Sequence, residues 1–181
     1  MATPTTEGTP ERTGRWTRGR AVVAVLVVGM VAMWAYVLYL AIGPGRQPPR
    51  DRLEDPAFAA AAEARCSAAL DEVAELPRAV ETASASERAG VIEEANEVFA
   101  VMLDDLTGLA PPGEDGQIVR AWLADWRTYL GDRAEYATTL RSDPAARLLV
   151  SAKDREQITE YLDAFAKDNR MPACATPLDV G

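Results

Sequence analysis

Residues 21–43, AVVAVLVVGMVAMWAYVLYLAIG, carry no charged side chain, and no other stretch constrains the chain so strongly. As a helix, these 23 residues extend about 34 Å, enough to cross a hydrocarbon core of about 30 Å with some tilt. A helix buried in a soluble core seldom stays apolar on every face over such a length. The run is therefore read as a transmembrane helix. Ala41-Ile42-Gly43 has the small-x-small form of a cleavage site. Signal-peptide apolar regions, however, run to only about 7–15 residues, so an uncleaved signal-anchor is the expectation.

Charge around this run sets the expected orientation. Residues 1–20 hold Arg12, Arg15, Arg18 and Arg20 against Glu7 and Glu11, while Arg46, Arg50 and Arg52 follow the helix. That positive-inside margin is narrow. The two cysteines carry more weight. Cys66 and Cys174 both lie on the C-terminal side, and an even pair beside a membrane-targeting segment points to a disulfide in an oxidising compartment. Trp34, Tyr36 and Tyr39 sit toward the distal end, where amphipathic rings favour the headgroup layer, with Trp16 on the other side. The expectation is a single-pass protein with residues 1–20 in the cytoplasm and residues 44–181 outside. MATPTTEGTPERTG, with nothing apolar to bury, reads as a disordered tail, and residues 44–54 read as an extended spacer.

Residues 44–181 hold 15 basic and 26 acidic side chains, a net charge of −11. Nucleic acid would be repelled by such a surface. The whole chain lacks histidine. Ser-His-Asp and Cys-His chemistry are thereby excluded, as are ordinary zinc enzymes and Glu-x-x-His di-iron bundles. No Gly-rich phosphate loop is present. No cofactor and no metal are expected.

Four helices are expected in the part beyond the membrane. Asp55-Pro56 offers an N-cap and a first-turn proline. Phe58, Ala62, Cys66, Ala69, Val73 and Leu76 then repeat at three and four, until Pro77. Ser84 or Ser86 caps the next helix, with the stripe Ile92, Ala95, Phe99, Met102 or Leu103, and Leu106. Gly108 and Pro111-Pro112-Gly113 end it. A third runs from about Gln117 to Arg141 with Ile118, Trp122, Trp126, Tyr129, Leu130, Ala137 and Leu140 inward. Ser142-Asp143-Pro144 restarts the chain, and Ser151 with Asp154 resembles a capping box ahead of Ile158, Tyr161, Leu162 and Phe165. No period-two run with hairpin turns is seen beyond the membrane segment. The fold class is all-α: one N-terminal transmembrane helix plus an extracytoplasmic antiparallel four-helix bundle over residues 55–181. A Cys66–Cys174 bridge would pin its C-terminal tail.

The pattern Trp122-x3-Trp126-x2-Tyr129-x3-Arg133-x2-Tyr136-Ala137 and the ending DAFAKDNRMPACATPLDVG resemble a group of uncharacterised membrane-anchored helical proteins of actinobacteria. The usage of 17 Arg against 2 Lys suits a high-GC genome. The resemblance implies the anchor and the helical fold, and brings no activity.

Carboxylates Glu93, Glu94, Glu97, Asp104 and Asp105 fall mostly opposite the Ile92/Phe99/Leu106 stripe, where water solvates them. Acid–base work would need one of them in a low-dielectric cleft. Gly113-Glu114-Asp115-Gly116 lacks the alternating oxygen ligands of a calcium loop and reads as a turn and helix cap. The third helix carries the candidate binding face: Trp122, Asp125, Trp126, Tyr129, Arg133 and Tyr136. Asp125, Tyr129 and Arg133 are spaced by four, and Asp132 and Tyr136 form a parallel pair. Either these residues form an aromatic core edged by an Asp–Arg pair, or they line a groove where Arg133 meets an anionic ligand. The functional expectation is a membrane-anchored, non-enzymatic interaction or structural module of the cell envelope. Its partners would be the bilayer and an envelope or membrane protein. The alternative is a ligand-sensing ectodomain signalling through a membrane partner.

Overall fold

A computed structural model describes residues 18–42 and 51–178. The tail read for residues 1–20 lies outside them except for its last three residues. So does the spacer, except for residues 51–54. The chain divides into two units, Met1–Pro48 and Pro49–Gly181.

The first unit contributes one helix, α1, Arg18–Ile42. Its stretch Gly19–Ala41 is long and apolar enough to span a membrane, and none of the most apolar window is buried within the protein. Large apolar side chains from Val22 to Leu40 are 46–70% exposed. The helix thus carries its apolar surface on all sides, unlike the one-sided helices that follow.

The second unit is mostly helical: α2 (Pro56–Ala74), α3 (Ala85–Leu109), α4 (Gly113–Leu140) and a shorter α5 (Ile158–Asp168). Local chemistry fixes the starts of α2 and α3. Asp55 accepts from the Ala57 N–H at 2.8 Å, with Pro56 in the first turn. Ser84 accepts from the Glu87 N–H at 3.2 Å, while the Glu87 carboxylate accepts from Ala83 N–H at 3.0 Å. Each arrangement satisfies an amide that the helix itself leaves without a carbonyl. The stripes Phe58/Ala62/Cys66/Ala69 and Ile92/Ala95/Phe99/Met102/Leu103/Leu106 are buried, whereas Val73 and Leu76 are half-buried.

Helix α4 begins earlier than the sequence suggested, at Gly113, whose φ of +76° follows Pro111-Pro112. Gly116 is the reason the turn closes. A Cβ there would lie 1.8 Å from the Pro111 carbonyl oxygen, far inside any tolerable contact. Asp115 accepts from the Glu54 and Asp55 N–H groups at 3.1 and 3.0 Å, so this loop holds the approach to α2. Gly116→Ala is expected to cost about 1–3 kcal/mol or more through overpacking. Gly131→Ala, in the same helix with nothing within 4 Å of the added carbon, should be neutral or gain up to about 1 kcal/mol. Thermal melts of the two variants side by side test the contrast.

Between α4 and α5 the structure corrects the sequence reading. Ser151 and Asp154 form no capping box. Ala152–Lys153 pairs antiparallel with Glu156–Gln157, giving two short strands, β1 and β2. The turn residues Asp154 and Arg155 have φ of 49° and 77°, the left-handed backbone that a two-residue hairpin requires. Ser151 is taken instead by Asp132, which accepts from its N–H and its hydroxyl, both at 2.7 Å. Gln157 caps α5 without a side-chain hydrogen bond.

The ends of the unit are stitched together. Cys66 and Cys174 are disulfide-bonded across 108 positions, and both are buried. Asn169, buried at the end of α5, accepts from Leu53 N–H at 2.8 Å and donates to the Asp51 and Phe165 carbonyls at 3.0 Å. Glu63 accepts from Ala173 N–H, and Asp163 from Thr176 N–H.

Candidate functional site

Helix α4 places its unusual side chains mainly inward. Trp122, Trp126, Tyr129, Arg133 and Tyr136 are all buried, and Arg133 has no exposed surface. Trp122 stacks on Phe165 of α5 at 4.9 Å between ring centroids, and Trp126 lies 6.1 Å from Phe99 of α3. The Arg133 guanidinium sits 5.3 Å from the Phe99 ring centre and 5.7 Å from that of Tyr129, and its Nε donates to Asn96 Oδ1 at 2.6 Å. Arg133 therefore faces the Phe99 and Tyr129 rings of the core rather than solvent. Tyr136 joins a smaller cluster with Ala79, Ala89, Ile92, Ala137 and Leu140. Its expected companion Asp132 instead holds Ser151. Helical periodicity also understated this face, since Val119 and Leu123 are buried beside the aromatics.

Asp125 is the member of the set that stays at the edge. Its carboxylate takes the Lys153 ammonium from the hairpin at 2.6 Å. Lys153 Nζ also lies 5.1 Å from the Tyr161 ring centre. Around this contact is a cleft of about 300 Å³, to which Asp51, Gln117, Trp122, Asp125, Lys153 and Tyr161 contribute. Burial first, then the negative charges of Asp154 and Glu156, raise the Tyr161 hydroxyl above its ordinary value; Lys153 acts in the opposite sense. The hydroxyl therefore stays protonated at neutral pH, and the ring offers its face and edge rather than a charge. Sequence reading missed Lys153 and Tyr161 as neighbours of Asp125. The one available signal was that Lys153 is one of only two lysines in an arginine-rich chain.

A wider apolar groove of about 500 Å³ lies between the end of α2, the start of α3 and the C-terminal tail. Leu70, Val73, Ile92, Ala95, Pro177 and Leu178 contribute to it. Val80 and Leu178 on its border are 49% and 98% exposed.

The carboxylates of α3 are all exposed or half-buried. Glu94 and Glu97 are exposed, and Glu93 is hydrogen-bonded by both terminal nitrogens of Arg141. That hydrogen bonding holds the Glu93 carboxyl below its ordinary value, whereas an acid catalyst needs the opposite shift. The pair stabilises the fold above the unfolded carboxyl pKa, and its contribution fades as pH falls through the lowered one. Both partners are solvent-accessible, so the effect is small. Among the described residues no group of three or more Cys, Asp or Glu is placed to hold a metal ion. Comparison with protein-family models, curated proteins and solved structures finds no match to this chain.

Proposed function

We propose that this chain is a membrane-anchored, extracytoplasmic helical module, an antiparallel four-helix bundle that acts by binding or bracing other envelope components rather than by catalysis. The observation that carries this reading is the Cys66–Cys174 bridge in the core of the unit that follows α1. Disulfides persist in oxidising compartments, which favours a domain on the outer side of the membrane. The alternating run of α2 to α5 supports the bundle: Arg65 of α2 meets Asp105 late in α3, and Glu93 early in α3 meets Arg141 after α4. Helix α1 would engage the bilayer, and the groove beside the tail offers apolar side chains to an envelope or membrane protein. A second reading, ligand sensing through a membrane partner, is favoured by the cleft in which Asp125 meets Lys153.

Protease treatment of intact spheroplasts tests the placement. Loss of the C-terminal unit with survival of an N-terminal tag is the expected result. Protection of that unit would reverse the orientation, and its release without protease would indicate cleavage near Gly43.

A further inference from the structure

We propose that the cleft between the hairpin and α4 is a binding site for a primary alkylammonium group, and that Lys153 occupies its cation seat from within the chain. Three features of the cleft carry the proposal.

The seat is already defined by a guest. Lys153 Nζ makes a charge-assisted contact of 2.6 Å with Asp125 Oδ2 while lying over the Tyr161 ring at 5.1 Å. A carboxylate on one side and an aromatic face on the other is the arrangement that holds organic cations. The Asp125 side chain is only 17% exposed, and Lys153 is 39% exposed, so the ammonium enters from the mouth toward a shielded partner.

The local charge favours a cation even though Lys153 is present. Asp51 and Asp125 both contribute to the cleft. The charges acting on Tyr161 are the carboxylates Asp154, Glu156 and Asp125 against the single ammonium of Lys153. Taking Lys153 out of the seat leaves an excess of negative charge beside the ring. An external ammonium would restore the balance, while an anion would be repelled.

The guest is held in a way that permits its exchange. Lys153 is the last residue of a two-residue strand, directly before the left-handed turn at Asp154 and Arg155. The hairpin thus presents Lys153 to Asp125 beside its turn, and the four-carbon stem can swing out to solvent with the backbone unchanged. A cleft of about 300 Å³ is at the small end of ligand sites and suits a short amine better than a large amphiphile.

The ammonium could come from a free diamine or from a lysine of a partner protein. The test uses the full chain in lipid nanodiscs, so its result is independent of which side of the membrane the domain faces. Probes are n-butylammonium, 1,4-diaminobutane, N-acetyl-lysine methylamide and neutral n-butanol, followed through the Trp122 indole resonance. Wild type is expected to give a weak saturable shift with the amines. Lys153→Met, which keeps the apolar stem and empties the seat, should bind n-butylammonium about tenfold tighter. Asp125→Asn in that background should remove most of the gain, and n-butanol should have no saturable effect. Tighter binding of 1,4-diaminobutane than of the lysine derivative would identify a free amine; the reverse would identify a protein lysine. Unchanged affinity in a folded Lys153→Met chain, or equal binding of n-butanol, would overturn the proposal. Should that variant fail to fold, an absence of any saturable amine response in wild type would do the same.

Discussion

In the double variant Cys66→Ala/Cys174→Ala, the unit spanning residues 51–178 is expected to lose several kcal/mol of stability. The bridge closes a loop of 108 positions, for which the chain-entropy description gives about 4–5 kcal/mol. A domain of this size has roughly 5–15 kcal/mol in total, so the variant should sit close to the margin at physiological temperature. The polar contacts of the tail, Glu63 with the Ala173 N–H and Asp163 with the Thr176 N–H and hydroxyl, lie at or near the surface and do not replace it. Denaturant unfolding with and without reductant should show a matching loss in the native protein. Limited proteolysis of the variant should cut beyond Asn169. Thiol labelling of the denatured protein without reductant should find no reactive cysteine; two reactive thiols would reject the bridge.

Arg133→Ala is the second large effect expected. The side chain is fully buried, donates to Asn96 and lies against the Phe99 and Tyr129 rings. Truncation removes a donor from a shielded acceptor and leaves a cavity in the aromatic layer. A loss of about 2–5 kcal/mol is the usual scale for truncating a large buried side chain and leaving its partner unsatisfied. Arg133→Met, which keeps much of the volume and removes the charge, should lose clearly less. Arg133→Lys should not rescue, because a point charge on a flexible stem cannot reproduce the flat contact with two rings. Equilibrium melts of the three variants, with near-ultraviolet circular dichroism to report on Trp126, decide the matter. An Arg133→Ala protein of full stability would show that the buried contact contributes little.

These outcomes bear on what could be read from residues alone. Caps and stripes were legible at Asp55, within one turn at Ser84 or Ser86, and along Ile92 to Leu106, because their physics is confined to neighbours in sequence. The pairing of Cys66 with Cys174 was legible because only two cysteines exist. The hairpin was not, since Asp154-Arg155 lacks the glycine or asparagine that marks a left-handed turn and its strands are two residues long. Side-chain partners across the fold were the least legible. Spacing placed Asp125 beside Arg133, but Lys153 reaches Asp125 from 28 positions away. Asn169 joins backbone groups more than 110 positions upstream, and no local pattern announces it. On α4 a tertiary layer of rings drew Arg133 inside, where its charge alone would have predicted an edge.

The disulfide also has a mechanical meaning. A pull between α1 and the tail beyond Cys174 would run along the backbone only as far as Cys66, then cross the sulfur bridge. The 108 positions between the cysteines would be bypassed by the load, withholding roughly 360 Å of extensible chain. What could peel is the short path before Cys66, guarded by the Asn169 contacts with Asp51 and Leu53. Joined in this way, the unit could lengthen under tension only by the chain ahead of Cys66 and beyond Cys174, while α3, α4 and α5 carry no load.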